Sequence, residues 1–296
     1  MSDFKQLQRD IYNQRAAKLT PQQAFFDCSG FKYPVRFKEE CLRRIFGGLK
    51  FKKGALLLDI GCGSARILNK ICCQYGTQGV GIDIAEEQIR LNQEYNPFGN
   101  KYCVGDAENL PFPDKVFDYI ICLDVLEHLP RPQVCLREAV RVLKGNGVAL
   151  FYAISKKDRF TWHWFLRKIT GNQFGVDSGA DGQGDHDRQY FIDPKDIASQ
   201  CRDSGFRVSK VIYIHAFFSL VYDELIVRLL QARSKAGPGV GAVPEGAQVY
   251  RGARASSIVF SYFNRLVFYL LVLLDLPWSL VGHSNGFFLI LKKQEK

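Results

Sequence analysis

Residues 56–66, LLLDIGCGSAR, read as a buried strand that carries Asp59 near its end and breaks at Gly61 into a helix. Gly61, Gly63 and Ala65 are small enough for backbone N–H groups to approach a ligand closely, and the start of the following helix adds a partial positive charge. A dinucleotide fingerprint of the G-x-G-x-x-G/A type requires a small residue where this chain has Arg66. The acid two residues before the first glycine suits a cationic ligand better than a pyrophosphate.

Outward from this bend, short apolar runs alternate with helical segments. GVGIDI (79–84), KYCV (101–104), FDYIICL (117–123) and VALFYAI (148–154) read as strands. Helices are expected over about 65–74, through EEQIRLNQEY (86–95) and over 134–143. Strand–helix alternation of this kind builds a parallel sheet covered on both faces. A Gly- and Asp-rich stretch, 171–189, reads as a loop. A helix opened by Asp193 and Pro194 leads to FRVSKVIYIHAFF (206–218), a sixth strand, and FFLILKK (287–293) is a seventh after a long interval. Three strand ends carry acids: Asp83, twenty-two residues after Gly61, Asp106 in VGDAENLPF, and Asp124 with Glu127 and His128 in LDVLEHL. An acid at the second strand's end can accept from both hydroxyls of a ribose.

DIGCGSA, GIDI, GDAENLPFPD, FDYIICLDVLEHL and REAVRVLKGNGVALF occur in the order and spacing of the class I S-adenosylmethionine-dependent methyltransferases, and the chain resembles their type 11 group. The resemblance implies an α/β fold, a Rossmann-like doubly wound sheet of seven strands with strand seven antiparallel. It also implies S-adenosyl-L-methionine lying across the carboxyl ends of strands one to four. By position, Asp59, Gly61 and Gly63 would face the methionine part, Asp83 the ribose, and Asp106 with Ala107 the adenine, with Leu123 at the end of strand four completing the site. Ala65 stands where the family most often has a third glycine. The domains expected from the resemblance together with the patterning outside it are a helical basic appendage or lid (1–50), a cofactor-binding domain (51–218 and 285–296) and an apolar helical insertion (219–284) suited to a membrane or dimer contact.

Methyl transfer from a sulfonium discharges the donor's positive charge, so alignment and a site of tuned polarity supply much of the rate. A general base is needed only where the acceptor carries a proton. His128 and His186 are the candidates, since both follow carboxyl ends of strands facing the cofactor. His128 also reads as a residue that packs its turn, and His186 as one that positions substrate. Glu127 and His128 alone are poor metal geometry, and no metal site is expected. No Asn-Pro-Pro or Asp-Pro-Pro motif follows strand four and no Pro-Cys dipeptide occurs. Hydroxyl or activated-carbon acceptors are therefore favoured over the amino groups of adenine or glutamine and over cytosine-5.

The whole chain, 296 residues at 47% hydrophobic and 24% charged, has the composition of a packed globular protein. Its net charge is +10, of which residues 1–53 contribute +7 from twelve Lys or Arg and five acids. An anionic partner or surface is implied. The nine cysteines include no CxxC pair, and residues 1–30 lack the apolar run of a secretory signal, so a reduced cytoplasmic setting is expected. The densely apolar block 258–281 holds only nine uncharged residues between Arg265 and Asp275, against the roughly 18 or more of a membrane span. It reads as an interfacial or dimer-forming helix, or as cover for the core. The acceptor expected from these features is a lipophilic or lipid-linked small molecule, such as a quinone precursor or a lipid-carried saccharide, met at the cytosolic membrane face. An RNA acceptor and a catalytically silent partner subunit are the alternatives. Nucleic acid is disfavoured because the basic residues are not interleaved with aromatics.

Overall fold

The computed structural model describes residues 2–18, 36–170, 191–227 and 257–294. The opening stretch becomes β1 (Leu56–Ile60), at the centre of a seven-stranded sheet. It pairs in parallel with β2 (Gln78–Asp83) on one side and β4 (Phe117–Leu123) on the other. β3 (Lys101–Val104) lies beyond β2, and β5 (Leu143–Ile154) beyond β4. β7 (Gly286–Lys293) then inserts antiparallel between β5 and β6 (Phe206–Ile214), giving the order β3-β2-β1-β4-β5-β7-β6. Strands one to four run as the sequence indicates. β5 begins five residues earlier than VALFYAI suggests, because Leu143 pairs with Phe117 across an irregularity that apolar patterning does not register.

Side chains alternate across the sheet, so each strand feeds two cores. Leu58, Ile60, Ile120, Cys122, Phe151, Phe287 and Leu289 face α5 (Pro132–Val142) and α7 (Pro194–Asp203). Leu57, Tyr119, Ile121, Leu150 and Phe288 face α2 (Phe37–Leu49) and α3 (Arg66–Tyr75). The five apolar residues that give α2 its helical stripe, Phe37, Cys41, Leu42, Ile45 and Phe46, are all buried. This part of the amino-terminal segment is therefore a layer of the core. The rest of it, α1 (Ser2–Ala16), lies against α4 (Glu86–Glu94), with Asn13 accepting from the Glu87 amide at 3.0 Å. The described cysteines are all free thiols.

After α6 (Trp162–Thr170) and β6, the insertion opens with α8 (Phe218–Val221), continued as a wide turn over Tyr222–Val227. It returns through α9 (Ser257–Leu274) and α10 (Leu276–Val281). The buried Asp275 between these two helices ties the parts together. Its carboxylate accepts from the backbone amides of Phe217, Phe218 and Ser219 at 3.1, 2.8 and 3.1 Å, and from the Ser219 hydroxyl at 2.5 Å. Three orphan amides at a helix start are thereby satisfied by one side chain. Among the described residues no helix is long and apolar enough to cross a membrane.

Candidate functional site: a carboxylate-lined cradle and two polar cavities

The carboxyl ends of the parallel strands share one edge, and the bend after β1 lies at its middle. Gly61 takes φ +69°, and a Cβ there would run into the Val125 side chain. Gly63 takes φ +47° with open space where a side chain would sit. Ala65 is also left-handed, at φ +54°, which costs an alanine about 1 kcal/mol and explains why glycine is at home there. Asp83 braces the bend: its two carboxylate oxygens accept from the amides of Gly63 at 2.8 Å and Ala85 at 2.9 Å. Burial nonetheless pushes its pKa above the usual carboxylate value.

Gly61, Gly63, Asp83, Asp106, Ala107 and His128 border one cavity of about 450 Å³, and α1 forms its far wall. Lys5 reaches from α1 to Asp106 at 2.5 Å and Glu108 at 2.8 Å, and the Tyr12 hydroxyl lies 3.3 Å from His128 Nε2. Arg9 pairs with Glu86, while Arg43 and Arg44 pair with Glu40. Much of the amino-terminal cationic excess is thus engaged within the chain, which weakens the case for an RNA-binding face.

Gly61, Gly63 and Asp124 also border a second cavity of about 400 Å³, together with Asp59, Leu123 and His215. Asp59 is 4% exposed, and burial, with Asp83 nearby, holds its pKa well above the ordinary range. Asp124 sits at φ +56° and receives Lys38 Nζ on both oxygens, at 2.9 and 2.6 Å. The same ammonium lies 3.6 Å from the Tyr152 ring centre. A third cavity of about 190 Å³ shares Arg36, Asp124, His215 and Asp223 with the second. It is lined by two imidazole–carboxylate pairs, the shared His215 Nε2 with Asp223 at 3.0 Å and, in this cavity alone, His163 Nε2 with Glu224 at 2.5 Å. The other His163 ring nitrogen meets Asn285.

The site residues expected from sequence therefore divide. Asp83, Asp106, Ala107 and His128 border the first cavity, Asp59 and Leu123 the second, and the two glycines join them. His186 lies outside the described residues. His163, His215, Asp223 and Glu224 were not singled out. The signal for His215 was available: it is the residue immediately after β6, and the strand-end rule applied to strands four and five extends to six.

The family described as "Methyltransferase domain" matches residues 58–151. The ubiquinone biosynthesis O-methyltransferase of Pseudomonas putida is 30% identical over 164 residues, covering 54% of this chain and 67% of that protein. The chain is a class I S-adenosylmethionine-dependent methyltransferase. The corresponding protein of Coxiella burnetii is 27% identical over 166 residues, 55% of this methyltransferase and 68% of that one. The phosphoethanolamine N-methyltransferase 2 of Haemonchus contortus, solved with S-adenosyl-L-methionine, shares the fold at a TM-score of 0.56. It is 17% identical and covers 97% of this chain and 60% of that one.

S-adenosyl-L-methionine is the cofactor of this methyltransferase, and the cradle fits it. The first cavity has the size of a small-ligand pocket, Gly63 leaves its wall open, and Asp83 and Asp106 place carboxylate oxygens along it that can accept from a nucleoside's hydroxyl and amino groups.

Glu127, in the 3₁₀ turn after β4, is 3% exposed, and no side chain pairs with its carboxylate among the described residues. Burial, reinforced by the nearby Asp124, pushes its pKa from 4.5 to about 8. The folded state keeps a proton that the unfolded chain releases, so this group's contribution is full below about 4.5 and is lost as pH rises to about 8. Glu127→Gln should therefore be neutral near pH 4 and stabilise by on the order of 4 kcal/mol near pH 8. Denaturant unfolding at the two pH values checks this, and equal effects at both would contradict it.

Proposed function

We propose that this methyltransferase transfers a methyl group to a hydroxyl of a lipophilic or lipid-linked small molecule, of the quinone-precursor or lipid-carried-saccharide kind, presented at a membrane surface. In this reading Asp59, Gly61 and Gly63 hold the methionine end of the cofactor. Asp83 holds the ribose, Asp106 with Ala107 the adenine, and Leu123 closes the site. S-adenosyl-L-methionine supplies a methyl group made electrophilic by its sulfonium. The protein aligns the acceptor and keeps water out.

One observation carries the reading: the polar acceptor cavity is walled by a segment that Asp275 fastens to an exposed apolar helix pair. On that pair Leu266, Leu273, Leu280 and Val281 are 68, 65, 77 and 65% exposed. Ile169 on α6, at 69%, extends the apolar surface. So much accessible apolar side chain beside a site, on a chain of net charge +10, suits contact with an anionic bilayer through residues 258–281. Relatives named for ubiquinone biosynthesis agree with a lipophilic acceptor.

The test is incubation with methyl-labelled cofactor and a membrane extract, followed by mass spectrometry of the product. The expected label is an O-methyl group in the organic phase. Label found only in RNA, or none, would overturn the reading. In the same samples Leu273→Glu with Leu280→Glu should cut flotation with anionic vesicles about tenfold or more while leaving cofactor binding intact, and undiminished flotation would remove the membrane contact.

A further inference from the structure

We propose that His215, held by Asp223, is the general base that takes the proton from the acceptor hydroxyl. The inference rests on the hydroxyl-acceptor reading above and assigns the residue that ionises that hydroxyl; His163, whose two ring nitrogens are taken by Glu224 and Asn285, has none left for the task. Of the two imidazoles only His215 borders both the cavity that contains Asp59, Gly61 and Gly63 and the smaller acceptor cavity. It therefore lies where the two cavities meet, beside the place an acceptor oxygen would approach the cofactor. His163 borders the acceptor cavity alone.

The local structure over-determines His215. Its backbone is left-handed, at φ +58°, an unfavourable conformation for a histidine, and its carbonyl accepts from the Asn285 amide at 2.9 Å. Such strain persists where the surroundings enforce it, and it clusters at working sites. Asp223, 6% exposed, accepts the Phe37 amide at 2.7 Å on one oxygen and engages His215 Nε2 with the other. That pairing fixes the proton on Nε2 and leaves Nδ1 as the basic nitrogen, with the carboxylate ready to stabilise the imidazolium.

The step balances without another reactant. Nδ1 accepts the hydroxyl proton. The freed oxygen pair forms the bond to the methyl carbon as the carbon–sulfur bond breaks, its electron pair going to sulfur and cancelling the sulfonium charge. The imidazolium then returns its proton to water.

4-Nitrophenol reads this directly, because its absorbance reports ionisation of its hydroxyl. It is titrated into the enzyme loaded with S-adenosylhomocysteine, at a pH below the dye's own ionisation. Native enzyme should bind it as the phenolate. His215→Gln should bind it un-ionised, with cofactor affinity unchanged by calorimetry as the check on folding. Asp223→Asn, which keeps the imidazole, should give a reduced ionised fraction, and His163→Gln should leave the bound dye ionised. With an alkylphenol and S-adenosylmethionine, His215→Gln should lower kcat about 100-fold or more. A bound phenolate that survives His215→Gln would overturn the base assignment and leave the acceptor reading intact. Failure of the native enzyme to bind the dye would overturn the hydroxyl-acceptor reading, and this inference with it.

Discussion

Asp275→Ala should lower the unfolding free energy by about 4 kcal/mol, the largest single loss expected outside the sheet core. The side chain removed accepts four hydrogen bonds, three from backbone amides at the start of α8 and one from the Ser219 hydroxyl. A buried donor left unpaired costs about 1–3 kcal/mol, and partial access of water to the exposed side of the turn keeps the sum near the low end of that range for each group. Asp275→Asn retains a carbonyl that can accept from two of the amides and should cost roughly half as much. Urea unfolding of the two variants checks the order. A loss below about 1 kcal/mol for alanine would show that the α8 amides find other partners.

Asp83→Ala should weaken cofactor binding about 100-fold, equivalent to about 3 kcal/mol. Two effects add. The proposed ribose contact is charge-assisted, which makes it stronger than a neutral hydrogen bond. The same carboxylate also fixes the amide of Gly63, so its loss frees the bend at the point where the ligand must be approached most closely. Asp83→Asn can still accept from one amide and should fall between alanine and native. Calorimetry with S-adenosylhomocysteine measures both variants. Unchanged affinity for alanine would remove Asp83 from the site.

The parts of this protein that were legible in the sequence are those decided within a few residues. β1 to β4 are short apolar runs stopped by glycine or acid, and the two faces of α2 are written in five residues of helical spacing. The bend between Ile60 and Arg66 announces itself because backbone conformation and side-chain size are local matters. Asp118, inside β4, accepts from the Leu56 amide and from Lys144, a bracing role of the same short range in space.

What could not be read depends on partners far along the chain. Lys5 meets Asp106 across 101 positions, and His163 meets Glu224 across 61. Asp275 looked like a charge interrupting an apolar run. Its work is to hold the amides of a segment more than fifty residues earlier, and no periodicity records that. His215 could be found from its place after β6, but its pairing with Asp223 and that of His163 with Glu224 could not, because each carboxylate is unremarkable alone.

The peptide groups gathered by Asp275 lie in the chain between His215 and Asp223. Helices α9 and α10 and the His215–Asp223 pair consequently hang from one peg. A displacement of those helices would be felt, within two turns of backbone, in the spacing between ring and carboxylate.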